Sequence, residues 1–235
     1  MGELRVLVTG GGRGIGRAIA LRFAREGARV AIAARTSSEL DRVVAEIEAA
    51  GGKGRAQQMN VSDHSSVEGA VWRAVEFTGG AIDVLVNNAG VFDVKPFEEL
   101  DLATWQRHIE VNLNGPYYVT SEALGALLES EHAHVFNISS VAGKRGFAGN
   151  VAYCATKYGI RGFSDALRED LREKGIRVST VYPGPTDTEI FRNVKGTWDR
   201  AKMNQPADVA EAVWRAYASP ADANVDDVEV LPPGA

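Results

Sequence analysis

The sequence is poor in cysteine and in clustered positive charge. Its 235 residues include one cysteine, Cys154, so no intramolecular disulfide can form and nothing marks an oxidising compartment. Acidic residues outnumber basic ones by 31 to 26, and the formal net charge is -5. Because a phosphate backbone requires clustered Lys and Arg, we expect a small-molecule partner and no nucleic acid.

Long hydrophobic runs and metal-ligand patterns are also missing. No apolar stretch approaches the about 20 residues that span a membrane, and residues 1–5 contain no signal-peptide core. These absences predict no membrane association and a cytoplasmic location. His132 and His134, with Glu129 and Glu131 nearby, could attract a metal, but no fourth-ligand pattern accompanies them, so a solvated turn and no metal site are expected.

Short apolar segments rich in β-branched residues alternate with longer segments of helical period. This pattern is typical of parallel strands joined by crossover helices, and no repeat or change in composition divides the chain. We predict one domain over residues 1–235, of the α/β class, with a doubly wound seven-stranded parallel sheet and helices on both faces. Strands are predicted at residues 6–9, 30–34, 56–60, 84–87, 135–139, 178–182 and 228–231. Helices are predicted to begin near Gly14, Glu39, Ser66, Leu102, Tyr153 and Ala207.

Two polar residues are predicted to cap helices. Ser65, followed three residues later by Glu68, has the spacing of a capping box. Asp101 precedes the apolar period that begins at Leu102 and is expected to cap that helix with its carboxylate.

A glycine-rich turn joins the first predicted strand to the first helix. Residues 9–16 read TGGGRGIG. Glycines let a backbone turn tightly and approach a pyrophosphate, and the following helix offers free N–H groups and the positive end of its dipole. The strict GxGxxG fingerprint and the P-loop pattern are both absent. The turn therefore indicates a dinucleotide site, with a flexible glycine turn as the alternative.

The charge after the second predicted strand bears on which dinucleotide binds. NAD sites usually place an Asp or Glu there, on the ribose 2′-hydroxyl, whereas this strand ends at Ala34 and is followed by Arg35. Together with Arg13, two guanidinium groups could converge on a 2′-phosphate. The pattern favours NADP(H), and the alternative is that both arginines lie on a solvated face.

Tyr153 and Lys157 are four residues apart in a predicted helix, which places both on one face. A free phenol has a pKa of about 10 and is a poor acid–base catalyst near neutrality, but a neighbouring cation lowers that pKa. Such a pair also arises by chance, so its surroundings matter. Ser140, after the fifth predicted strand, and Asn112, in the preceding helix, are expected to face the same crevice.

Five motifs, in order and spacing, resemble the short-chain dehydrogenase/reductase family from Arg5 to about Leu231. They are the turn at residues 9–16, Asn87-Asn88-Ala89-Gly90, Asn112 in Val111-Asn112-Leu113, Ser140 ahead of Tyr153-x-x-x-Lys157, and Pro183-Gly184. The resemblance is to members similar to 3-oxoacyl carrier-protein reductases and carbonyl reductases. It implies a Rossmann fold and an NADP(H)-dependent oxidoreductase that interconverts a ketone or aldehyde and an alcohol.

The resemblance also implies a role for each catalytic residue. Tyr153 would protonate the carbonyl oxygen as hydride arrives from the nicotinamide, and Ser140 would orient that oxygen. Lys157 would hold the nicotinamide ribose and lower the pKa of Tyr153, and Asn112 would hold a water that links Lys157 to solvent. Asn60, expected at the adenine, replaces an Asp common in the family. Cofactor contacts are implied for Gly10, Gly12, Arg13, Gly14, Ile15, Gly16, Arg35, Asn60, Val61, Asn88, Gly90, Tyr153, Lys157, Pro183, Gly184, Thr186 and Thr188.

The substrate is less well defined by the sequence. Lys144 and Arg145 could guide an acidic substrate or a phosphopantetheine carrier, which would suit a 3-oxoacyl thioester, or they could simply be solvated. The resemblance places Phe147, Phe191 and Trp198 at the substrate pocket and its lid. The segment of residues 187–206 is short for such a lid and predicts an open or shallow pocket.

The resemblance also bears on the oligomeric state and on whether the protein is an enzyme. Relatives pair through helices corresponding to residues 102–128 and 153–174, so the resemblance implies a homodimer or homotetramer. A non-catalytic sensor or scaffold that binds NADP(H) is the alternative function. The intact set of Asn112, Ser140, Tyr153 and Lys157 speaks against it, because a sensor has no physical need for a proton relay.

Overall fold

Seven strands form one parallel sheet in the order β3-β2-β1-β4-β5-β6-β7. The computed structural model describes residues 3–191, 199–220 and 223–232. The strand order reverses between β1 and β4, which opens a crevice at the carboxyl ends of the strands. The predicted seven-stranded parallel sheet is confirmed. The strands are β1 (Arg5–Thr9), β2 (Arg29–Ala34), β3 (Lys53–Gln58), β4 (Val84–Asn87), β5 (His134–Ile138), β6 (Arg177–Pro183) and β7 (Asp227–Val230).

Helices cover both faces of the sheet, as predicted. One buried apolar cluster joins the sheet to α1, α2 and α7, and a second joins the opposite face to α3, α5 and α6. Among the described residues no helix is both long and apolar enough to cross a membrane. The helices are α1 (Gly14–Ala24), α2 (Ser37–Ala49), α3 (His64–Thr78), α4 (Leu102–Ile109), α5 (Gly115–Leu128), α6 (Val151–Arg172) and α7 (Pro206–Tyr217).

Two predicted details around β3 were wrong. The strand was expected at residues 56–60 but spans Lys53–Gln58, because pairing with β2 runs from Arg29 opposite Lys53 to Ala34 opposite Gln58. The helix that follows begins at His64 and is capped by Asp63, whose carboxylate accepts from the amides of Ser65 and Ser66. The capping box predicted at Ser65 therefore does not form.

The helix predicted over residues 102–128 is interrupted. Asp101 caps its start as expected, accepting from the Thr104 amide at 2.7 Å. After α4 a π-helical turn covers Glu110–Asn114, and α5 then continues from Gly115. Such turns disturb the regular hydrogen-bond pattern and are frequent at functional sites. This one contains the buried side chain of Asn112.

Candidate active site

The glycine turn is held to the end of β4 by Asn88. The Asn88 Nδ2 atom donates to the carbonyls of Thr9 at 2.9 Å and Gly10 at 3.2 Å, and its amide N–H donates to Thr9 Oγ1 at 3.0 Å. Gly10 has a φ of 65°, which glycine adopts without strain. A Cβ on Gly16 would lie 2.4 Å from the Gly10 oxygen and 2.5 Å from Asn88 Nδ2. The glycines therefore permit a close three-way packing of backbone and amide.

A cavity extends outward from this turn along the carboxyl ends of β1, β2 and β4. It is walled by the turn, by residues 33–36 at the end of β2 and just beyond it, by residues 59–61 after β3 and by residues 88–91 after β4. Its position suits a dinucleotide, which binds at this place in open parallel sheets. The predicted cofactor residues that line it are Gly10, Gly12, Arg13, Gly14, Ile15, Arg35, Asn60, Val61, Asn88, Gly90 and Thr188.

A second cavity continues from the first toward α6. It shares Ile15, Asn88, Gly90 and Thr188 with the first cavity, so the two adjoin. The predicted catalytic and cofactor residues that line this second cavity alone are Ser140, Tyr153, Lys157, Pro183, Gly184 and Thr186. Gly16 and Asn112 line neither cavity, and Gly16 packs closely against Gly10 and Asn88.

Ser140 and Tyr153 meet at the inner end of the second cavity. Ser140 follows β5 and accepts from the amide of Ala142 at 3.2 Å, while Tyr153 lies in the first turn of α6. Burial of the phenol raises the pKa of Tyr153 to about 12, and a hydrogen bond with the Ser140 side chain opposes that rise. At neutral pH the phenol is therefore protonated and can donate its proton.

Lys157 lies one turn further along α6, beneath the Tyr153 ring. Its Nζ atom donates to the Ile138 carbonyl at 2.7 Å and lies 5.6 Å from the centre of that ring. Burial lowers the pKa of Lys157 to about 8. We expected Lys157 to lower the pKa of Tyr153, but in the described protein the burial of the phenol outweighs any such effect.

The side chain of Asn112 ties the loop after β4 to α6. Its Oδ1 accepts from the Val91 amide at 2.8 Å, and its Nδ2 donates to the Val91 carbonyl at 2.9 Å and to Thr156 Oγ1 at 3.3 Å. Thr156 in turn donates to the Tyr153 carbonyl at 2.9 Å. Thr156 was not predicted from the sequence, although its place between Tyr153 and Lys157 could have indicated it. The water-holding role expected of Asn112 stays a prediction.

An aromatic wall lines the second cavity beside Tyr153. The Phe92 ring packs edge-on against Tyr153 with centroids 4.7 Å apart, and against Phe191 with centroids 5.6 Å apart. Phe147 lines the same cavity, as predicted. Phe92 was not predicted from the sequence. Trp198, which was predicted at the lid, lies outside the described residues. The prediction that residues 187–206 leave the pocket open also reaches into undescribed residues and stays a prediction.

The two basic residues after Ser140, Lys144 and Arg145, contact other side chains of the protein. Lys144 donates to Asp227 Oδ2 at 3.1 Å and also pairs with Glu229 at the edge strand β7. The Arg145 guanidinium lies over the Phe147 ring, 5.1 Å from its centre. Neither residue lines the cavity beside Tyr153. Among the described residues no group of three or more His, Cys, Asp or Glu could hold a metal ion.

A glycine turn at the reversal point of a parallel sheet, adjoining a Ser, Tyr and Lys cluster, defines a dinucleotide-dependent oxidoreductase. The family model described as short chain dehydrogenase matches residues 5–198. The chain therefore belongs to the short-chain dehydrogenase family and is an oxidoreductase.

Comparison with individual proteins shows similar sequences and folds. The chain is 39% identical over 212 residues to a 2,5-dichloro-2,5-cyclohexadiene-1,4-diol dehydrogenase of Sphingobium indicum, covering 87% of this chain and 84% of that one. It is 39% identical over 189 residues to a 3beta-hydroxysteroid dehydrogenase of Mediterraneibacter gnavus, covering 80% and 68%. The structure of an alcohol dehydrogenase from Thermococcus sibiricus, complexed with 5-hydroxy-NADP, superposes with a TM-score of 0.91 at 28% identity, covering 98% and 97%.

Proposed function

We propose that the protein is an NADP(H)-dependent oxidoreductase that interconverts a hydrophobic ring ketone and the corresponding secondary alcohol. One observation carries the proposal: the cavity at the glycine turn adjoins the cavity that holds Ser140, Tyr153 and Lys157. A hydride carrier in the first cavity would reach a carbonyl held in the second.

The cavity at the glycine turn fits a phosphorylated dinucleotide. Gly14 begins α1 with a φ of 56°, and a Cβ there would lie 3.2 Å from the Thr188 side chain, so the turn leaves room for backbone to approach a pyrophosphate. Arg13 and Arg35 line its outer end and would hold the 2′-phosphate. The likeness to an alcohol dehydrogenase complexed with 5-hydroxy-NADP supports the same cofactor. When bound, NADPH would supply hydride to the carbonyl carbon.

The chain's own residues would supply and stabilise the proton. In the reductive direction, the Tyr153 O–H donates its proton to the substrate oxygen while the Ser140 hydroxyl donates a hydrogen bond to the same atom. The charge that develops on the Tyr153 oxygen is stabilised by the ammonium of Lys157 beneath the ring. Because burial lowers the pKa of Lys157 to about 8, Lys157 can pass a proton back to Tyr153 near neutral pH.

The described wall of the substrate cavity favours an uncharged ring. Phe92, Phe147 and Phe191 line it. Lys157 also lines it but donates to the Ile138 carbonyl, and Lys144 lies outside it in an ion pair with Asp227. Aromatic side chains stabilise an apolar ring by contact, but they do not replace the hydrogen bonds to water that a carboxylate loses when it is buried. Two relatives are named for a cyclohexadiene diol and a hydroxysteroid, which are both ring alcohols.

Truncating Phe92 is expected to weaken ring-ketone binding. We expect Phe92→Ala to raise KM for a substituted cyclohexanone about tenfold, because the ring loses roughly 1–2 kcal/mol of apolar contact. The measurement is NADPH consumption with cyclic ketones, acetoacetate and an acetoacetyl thioester. Phe97→Ala is the control, because Phe97 is 72% exposed and lines neither cavity. Faster turnover of acetoacetate or the thioester than of any ring ketone would contradict the substrate class.

We further propose that the protein forms a homodimer through the outer faces of α5 and α6. Tyr117 and Leu128 on α5 and Tyr158 on α6 are each about half exposed, which is unusual for large apolar side chains. Tyr158→Glu would place a charge within such an interface and is expected to give a monomer in analytical ultracentrifugation. Trp72→Glu on α3 is expected to keep the oligomeric state of the unmodified protein. A Tyr158→Glu variant that sediments like the unmodified protein would exclude this interface.

A further inference from the structure

A carboxylate lines the glycine-turn cavity, together with the residues that would bind the 2′-phosphate. Glu39, near the start of α2, lines the cavity together with Arg13 and Arg35. The Arg13 Nη1 atom donates to the Glu39 Oε1 atom at 3.4 Å, and the two side chains are 56% and 30% exposed. A ligand group that binds Arg13 here therefore meets the Glu39 carboxylate.

The Glu39 side chain also lies directly over the turn. A Cβ atom on Gly12 would lie 3.1 Å from the Glu39 Cβ and 3.3 Å from its Oε2. Gly12 is one of the residues that bring the backbone close to a dinucleotide. The carboxylate is thus fixed beside the space that the adenosine ribose and its 2′ substituent would occupy.

A second arginine–glutamate pair shows that Glu39 is not needed to join the two helices. The Arg17 Nε atom donates to Glu46 Oε2 at 2.6 Å, further along α1 and α2, and neither residue lines the cavity. That contact already links the helices by charge. The Arg13–Glu39 contact is longer and more exposed, so it adds little to stability.

We propose that Glu39 sets the cofactor selectivity of the enzyme by opposing the 2′-phosphate of NADP(H). The inference rests on the proposed function for the identity of the dinucleotide. A phosphomonoester carries about two negative charges near neutral pH, so the carboxylate repels it and competes with it for Arg13. The 2′-hydroxyl of NAD(H) is uncharged and can donate a hydrogen bond to the same carboxylate. The protein therefore binds both dinucleotides, with a smaller preference for NADPH than Arg13 and Arg35 alone would produce.

The test measures dissociation constants for the unmodified protein, Glu39→Gln and Glu46→Gln. The probes are NADPH, NADH, adenosine 2′,5′-bisphosphate and 5′-AMP, titrated by calorimetry. Glu39→Gln is expected to lower Kd for NADPH and for the bisphosphate about fivefold to tenfold at low salt, and less at high ionic strength, since these charges are exposed. Kd for NADH and 5′-AMP should stay the same or rise. Glu46→Gln should leave all four constants within about twofold, because its carboxylate does not line the cavity and is paired with Arg17.

Two results would overturn the proposal. One is a Glu39→Gln protein whose Kd for NADPH is unchanged or falls in parallel with that for NADH. The other is an Arg13→Gln protein that binds the bisphosphate as tightly as before, since the phosphate would then lie away from the Arg13–Glu39 pair. Failure of the proposed function would give a different result, because no ring ketone would then be reduced. The dissociation constants for adenosine 2′,5′-bisphosphate and 5′-AMP would still decide the role of Glu39.

Discussion

Replacing Tyr153 with Phe is expected to lower kcat by about 10³-fold, within the range that a positioned general acid contributes. The variant keeps the ring that packs edge-on against Phe92 and removes only the hydroxyl beside Ser140. The second cavity should therefore keep its shape while it loses the group that donates a proton. Kd for NADPH, measured by fluorescence titration, should change by no more than about tenfold, because a single hydrogen bond contributes about 0.5–1.5 kcal/mol.

Tyr158→Phe is the matched control for this experiment. Tyr158 lies on the same helix, is 44% exposed and lines neither cavity, so removing its hydroxyl should leave kcat unchanged. If Tyr153→Phe reduced a ring ketone at the rate of the unmodified protein, Tyr153 would be excluded as the general acid. An unmodified protein that binds NADPH tightly but reduces no carbonyl would favour the sensor instead.

Buried segments of the fold could be predicted from the sequence more closely than its edges. β4 has all four of its residues buried and was predicted at its observed bounds, Val84–Asn87. β3 is an edge strand with four polar or charged residues out of six, so the hydrophobic pattern predicted it too far along the chain. Only its pairing with β2 determines its bounds. The cap of α3 was misplaced by two residues, because Asp63 and Ser65 are both good caps and geometry alone decides between them.

The catalytic pair was predictable because Tyr153 and Lys157 are linked by the period of one helix. Phe92 was not, since it stands in an irregular loop and reaches Tyr153 only through the tertiary fold. Glu39 was likewise read as a helix start, and only the structure brings its carboxylate to Arg13. Residue types alone could not show that the pKa of Tyr153 is raised, because burial is a property of the folded chain.

Gly16→Ala is expected to be the most damaging single substitution in the cofactor cavity's scaffold. The added Cβ would lie 2.4 Å from the Gly10 oxygen and 2.5 Å from Asn88 Nδ2, and a backbone atom cannot yield as a flexible side chain can. Overpacking of this kind costs about 1–3 kcal/mol, and each hydrogen bond lost from Asn88 to the Thr9 and Gly10 carbonyls adds about 0.5–1.5 kcal/mol. The free energy of unfolding, measured in urea, should fall by about 3 kcal/mol.

Gly69→Ala separates this clash from the general effect of replacing glycine. Gly69 lies within α3, where a Cβ would meet only the flexible end of Arg73 at 3.4 Å, so the change should raise the free energy of unfolding by about 0.5–1 kcal/mol. Gly16→Ala should in addition raise Kd for NADPH by about a hundredfold, since a turn displaced to relieve the clash would have to return to its cofactor-binding position at a cost of about 2–3 kcal/mol. If Gly16→Ala were as stable as the unmodified protein and bound NADPH equally well, the close packing of Gly10, Gly16 and Asn88 would not be what shapes the turn. Loss of NADPH binding with unchanged stability would instead show that the turn moves as a unit, and that its position matters to the cofactor more than to the fold.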